Sequence, residues 1–170
     1  MNKQPIEFPH FPSDPESVRL LGALKELSLC VIASTPSDHL RACGAYLYML
    51  SDAPYKNDYV YFRLHQELMD DVQKISSYYN VYIHSRGMDY MLDLINKEIG
   101  DFAPFFNEFQ MIMYGINERS KSDPSYEPLN ALIWGFYCAL YDSNHLKRFL
   151  ARSIEVVENL QKENRQSMYN

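Results

Sequence analysis

Apolar residues recur three or four positions apart along nearly the whole chain, and that spacing confines it to helices. Leu20, Leu24, Leu27 and Val31 make one such stripe, broadened by Leu21. Leu40, Cys43, Leu47 and Leu50 make a second, and Tyr61, Leu64, Leu68, Val72, Ile75 and Tyr79 a third. Residues so spaced share one face of an α-helix, whereas a half-buried strand would alternate in steps of two. Strand-like residues gather only in Ser76 to Gly87, around Val81, Tyr82 and Ile83, and no second strand offers itself as a partner. That segment reads as a helix extension or an irregular link.

The helix boundaries follow from capping and proline chemistry. Asp14-Pro15-Glu16 combines a capping side chain, a proline at the first helical position and an acid in the first turn, so a helix starts there and runs to about Ala33, before Pro36. Ser37 and Asp38 restart a second helix that Ala53-Pro54 closes, and the third begins near Asn57-Asp58. A fourth carries Met91, Leu92, Ile95 and Ile99 and ends near Gly100. Asp101 caps a fifth, whose apolar face holds Phe102, Phe105, Phe106, Phe109, Ile112, Met113 and Ile116. Pro104 is tolerated in its first turn, where the missing N–H has no intrahelical acceptor.

Glu118 to Pro128, rich in serine, charge and proline, reads as an exposed loop. Leu129 to Tyr141 contains no charged residue and reads as a central helix buried on all sides. The last helix, about Ser143 to Arg165, turns Leu146, Leu150, Ile154, Val157 and Leu160 inward and Lys147, Arg148, Arg152, Glu155, Glu158, Lys162 and Glu163 outward. Met1 to Ser13 holds three prolines, each biasing its predecessor away from helix, with Ile6, Phe8 and Phe11 between them. The expected fold is all-α: one compact domain over residues 14–170, six or seven helices around one core, with an extended N-terminal arm over residues 1–13.

A chain of 170 residues, 46% hydrophobic and 22% charged, can build one well-formed core. Its net charge of −6 lacks the long-range attraction to phosphate that drives nucleic-acid binding, and it suits a partner that is itself basic. Leu129 to Tyr141 is too short for a bilayer, which needs about 20 apolar residues, and the opening MNKQPIEFPHFP lacks the apolar core of a signal peptide. The expectation is a cytoplasmic protein contacting neither membrane nor nucleic acid. Cys30, Cys43 and Cys138, odd in number and widely spaced in apolar stretches, read as reduced, buried thiols rather than a disulfide framework.

No motif calls for a catalytic residue, a metal or a cofactor. There is no nucleophile elbow and no glycine-rich phosphate loop. None of His10, His39, His65, His84 and His145 has Glu, Asp or His at the three- or four-residue offset of a metal site within an expected helix, apart from generic coincidences, although His39, His65 and His145 sit near apolar seams. Asp70 and Asp71 resemble half of an aspartate-rich magnesium motif, but adjacent residues on a helix point about 100° apart and Lys74 follows them, so a solvated face accounts for the pair. His84, Ser85 and Arg86 precede the fourth helix, where backbone N–H groups with an arginine and a histidine suit an anion; a polar connection turning at Gly87 accounts for the same residues.

Tyrosine is the feature that ordinary packing leaves over: there are 14, and Tyr55, Tyr59 and Tyr61 cluster with Asp52, Lys56 and Asp58, while Tyr78, Tyr79, Tyr82 and Tyr90 form a second group. Interfaces favour tyrosine for its apolar area, its hydroxyl and its few rotamers. Besides an enzyme with an unfamiliar site, the least favoured class, two functional classes emerge. One is an acidic protein-binding module (a small regulator, inhibitor, immunity-type or adaptor protein) whose partner surface includes Tyr55, Asp58, Tyr59 and Tyr61. The other is a ligand- or cofactor-binding protein with an apolar pocket between helices, lined by the Phe102 to Phe109 face, Trp134 and a histidine. The stripe of the last helix suits packing on the monomer core and pairing with a second copy equally well.

Overall fold

Asp14 caps helix α1 (Pro15–Ala33), its carboxylate accepting from the Ser17 backbone N–H at 3.3 Å, with Pro15 and Glu16 in the first turn as the sequence implies. In the computed structural model, residues 14–34, 38–56, 62–77, 93, 96–97 and 100–169 are described. Among them are six α-helices, two short 3-10 turns and no strand. The expected start of the third helix, the Tyr78 to Tyr90 tyrosines and the arm over residues 1–13 lie outside the described residues.

Helix α2 (Asp38–Lys56) packs antiparallel on α1, and this is the most extensive helix–helix contact of the described chain. Gly44 allows the close approach: a β-carbon there would stand 2.5 Å from Ile32 Cγ1 and 3.0 Å from the Ser28 carbonyl oxygen. Lys25 and Asp52 pair across the two helices at 3.6 Å. The α2 backbone stays helical to Lys56, past the stop expected at Ala53-Pro54. In the last turn, Pro54 removes one backbone hydrogen bond without breaking a longer ladder.

Helix α3 spans residues 62–77 and buries Leu64, Leu68 and Val72; residues 93, 96 and 97 are also helical. A 3-10 turn, Gly100–Phe102, leads into α4 (Ala103–Ser122). The N-cap of α4 is Phe102, not Asp101, and makes no side-chain hydrogen bond. Burial positions this start instead, since the Phe102 ring is fully enclosed against Phe109 and Phe136.

The stretch from Glu118 to Pro128 is not an exposed loop. Helix α4 continues to Ser122, a 3-10 turn follows at Pro124–Tyr126, and α5 (Glu127–Ala139) begins at once. Asp123 opens the turn by accepting from the Ser125 N–H at 3.0 Å and hydroxyl at 2.7 Å. Tyr126 is only 1% exposed, and the guanidinium of Arg119, which also pairs with Asp14, stands over its ring at 6.0 Å from the centroid. The start of α1 and the α4–α5 corner are thereby tied together.

Helix α5 is the central helix, with Leu129, Leu132, Ile133, Phe136, Tyr137 and Cys138 all buried. Gly135 faces Val72 of α3 and Phe149 of α6 (Ser143–Tyr169), so three helices meet where a side chain would intrude. Tyr46 of α2 closes the core, stacking on Phe136 at 5.5 Å, meeting Phe149 edge-on and donating to the Leu132 carbonyl at 3.4 Å. The buried stripe of α6 runs through Leu146, Phe149, Leu150, Ser153, Val156 and Leu160. Ile154, expected inside, is 53% exposed. Cys43 and Cys138 are buried thiols as expected, but Cys30 is exposed.

Candidate functional site

The outward stripe of α4 carries Asn107, Met111, Tyr114 and Glu118, residues three or four apart that are all exposed. Met111 is 76% and Tyr114 50% exposed, the largest apolar groups that α4 leaves in solvent. Beneath Tyr114 stands a fixed aromatic base. Trp134 of α5, half-buried, stacks on Tyr137 at 5.3 Å, and Tyr137 in turn stacks on Phe106 at 5.9 Å and meets Tyr141 edge-on at 5.6 Å. The Tyr137 and Tyr141 side chains lie close enough to influence one another's hydroxyls, and Gln110 lies within reach of Tyr137. Burial pushes the Tyr137 phenol up to about 12 and raises that of Tyr141 further, so both remain neutral hydrogen-bonding groups. Tyr114 lies within electrostatic reach of both hydroxyls. The arrangement offers exposed methionine and tyrosine on a foundation that has already lost its rotamer freedom.

Helix α6 borders several depressions. With α2 it forms a narrow apolar groove of about 160 Å³ beside Ala42, Ala45, Met49, Ile154 and Val157. With α3 it forms a wider cleft of about 630 Å³, bordered by Asp71, Lys74 and Ile75 on one side and His145, Arg148, Phe149 and Arg152 on the other.

The residues singled out in the sequence are distributed unevenly. Tyr55 belongs to the last turn of the α2 backbone, while Asp58, Tyr59 and Tyr61 lie outside the described residues, as do His84, Ser85 and Arg86. Asp71 borders the α3–α6 cleft and Asp70 is exposed. His145 stands in the same cleft with Nδ1 3.5 Å from Asp142. His65 is half-buried; its Nε2 finds no hydrogen-bond partner among the described residues, and desolvation lowers its basicity against the opposing pull of Glu127. Among the described residues no group of three histidines, cysteines or acids is placed to hold a metal ion. The Phe102 to Phe109 face fills itself: Phe102, Phe109, Phe136 and Tyr137 pack ring on ring, and the open spaces lie along α6 instead.

Sequence reasoning missed Met111 and Tyr114 because α4 was read only for its inward face. The same periodicity holds the signal, since Met111 and Tyr114 fall on the polar side of the helix, where a large apolar group is out of place. No family model, curated protein or solved structure matches the chain. No helix among the described residues is long and apolar enough to cross a membrane.

Proposed function

We propose that this chain is an acidic protein-binding module that docks its partner on the α4–α5 surface. The observation that carries the reading is the exposure of Met111 and Tyr114, with Tyr114 within electrostatic reach of Tyr137 and Tyr141. Methionine and aromatic residues are enriched where proteins meet, and a contact made by pre-ordered side chains loses little further entropy on binding. Glu108 and Glu118 flank Met111 and Tyr114 on the exposed side of α4, and the chain carries a net charge of −6. The fitting partner is therefore a protein with an apolar contact patch ringed by lysine and arginine. Tyr55, Asp58, Tyr59 and Tyr61 form a second proposed contact at the junction after α2.

Native mass spectrometry of the protein purified gently from its host tests this reading. The expected result is a stoichiometric complex with a basic protein that the Met111→Ala, Tyr114→Ala double variant loses at unchanged melting temperature. The Tyr59→Ala, Tyr61→Ala variant tests the second contact in the same way. A partner retained by the α4 variant would remove the α4–α5 surface from the proposal, and a mass of twice the chain would make the partner a second copy. A small added mass would favour the ligand-binding alternative, which the α3–α6 cleft supports.

A further inference from the structure

The cleft between α3 and α6 is bordered by cations in a chain that is acidic overall. The chain is −6, yet Lys74, Arg148 and Arg152 border this cleft, against the single carboxylate Asp71 among the described lining residues. Arg152 is compensated by three carboxylates, standing 4.0 Å from Glu67, 4.0 Å from Asp71 and 3.7 Å from Glu155. Lys74 and Arg148 are exposed and pair with no carboxylate among the described residues.

Asp142 occupies the start of α6, accepting from the Asn144 N–H at 2.8 Å and the His145 N–H at 3.4 Å, so the backbone end is already capped. Arg148 follows in the second turn. Beneath the charges the floor is apolar, formed by half-buried Ile75 and the buried ring of Phe149. The volume of about 630 Å³ falls within the few hundred to a thousand that small-molecule sites occupy.

We infer that the α3–α6 cleft binds a small organic phosphate, its oxyanion between Lys74 and Arg148 and its aromatic or aliphatic body on Ile75 and Phe149. Guanidinium and ammonium groups both suit phosphate, and the apolar floor distinguishes such a ligand from a bare ion. This site uses α3 and α6, so its test is independent of the proposed partner surface on α4 and α5.

Isothermal titration of the full chain at fixed ionic strength, with phenyl phosphate, inorganic phosphate and benzyl alcohol as probes, decides the matter. Phenyl phosphate should bind saturably with one site per chain, at least about tenfold more tightly than either of the other two. The Lys74→Ala, Arg148→Ala double variant should weaken it by about tenfold or more with an unchanged melting temperature, and the Lys74→Arg variant should retain it. The absence of saturable phenyl phosphate binding, equal binding by benzyl alcohol, or undiminished binding by the double variant would each overturn the inference. So would sedimentation with phosphatidylglycerol vesicles in the absence of phenyl phosphate binding, which would transfer the basic wall to a lipid headgroup.

Discussion

Gly44 of α2 lies against Ser28 of α1 so closely that a β-carbon on the glycine would stand 3.0 Å from the serine carbonyl oxygen. That carbonyl is part of a helix and cannot turn aside. Gly22, on the exposed side of α1, is the opposite case, with nothing within 4 Å of an added β-carbon. Alanine is favoured over glycine in a helix interior by about 1 kcal/mol, so Gly22→Ala should stabilise by about 0.5–1 kcal/mol. At Gly44 the same gain is outweighed by overpacking, and Gly44→Ala should destabilise by about 1–3 kcal/mol. Denaturant midpoints at constant slope measure both; a stabilising Gly44→Ala would show that the two helices separate freely.

Phe136 is enclosed by Tyr46, Phe102 and Phe109, with ring centroids 5.5, 5.9 and 5.5 Å away. Truncation to alanine removes contacts on every side at the crossing of α2, α4 and α5, and should cost about 3–5 kcal/mol. Ile154→Ala, at a site 53% exposed, should change stability by less than about 1 kcal/mol. Equal losses from the two variants would place Ile154 in the core after all.

The three thiols should react in two classes. Burial pushes Cys43 and Cys138 each up to about 12, leaving almost no thiolate at neutral pH and no path to it, while Cys30 is exposed. A chromogenic disulfide reagent should therefore titrate one thiol per native chain promptly and the other two only with unfolding. Prompt reaction of all three would show that the α5 core opens readily.

Acid should weaken the protein in two steps of the same sign. Desolvation lowers His65 from its ordinary 6.5, so the unfolded state binds a proton the folded state resists, and stability falls as the pH drops below 6.5. The Ser17 hydrogen bond, with Arg119 assisting, lowers Asp14 from 3.8, so its contribution is present above 3.8 and lost as the pH falls through the still lower folded value. Urea midpoints followed from neutral pH downward should show a smaller loss below 6.5 in His65→Gln, and a smaller loss below 3.8 in Asp14→Asn. Parallel losses in wild type and both variants would assign the acid response to other groups.

Local chemistry made much of this fold readable in advance. Asp14-Pro15-Glu16 announces α1 because capping depends on neighbours in sequence, and the stripes Leu20 to Val31 and Leu40 to Leu50 identify buried faces because helical period is a property of the backbone. The uncharged run Leu129 to Tyr141 marked the central helix for the same reason. The α4–α5 corner carries its own signal, since Asp123-Pro124 repeats the Asp-Pro start of α1, whereas its serine and proline content alone points to a loop.

Other features depended on which neighbours a residue meets, and no local pattern contains that. Ser153 is buried because its hydroxyl donates to the Phe149 carbonyl at 2.8 Å and leaves nothing polar unsatisfied, and the stripe of α6 consequently passes Ile154 by. Gly44 and Gly135 are needed where they stand because other helices cross there. The gathering of Lys74, Arg148 and Arg152 around one cleft is likewise a product of packing: α3 and α6 are far apart in the chain, and only their contact brings the three charges together. The helical state, the cap of α1 and the main apolar stripes were determined by the sequence alone, through interactions spanning a few residues; the start of α4, the crossings, the cleft and the exposed aromatic surface were decided by the tertiary structure, through contacts between distant segments.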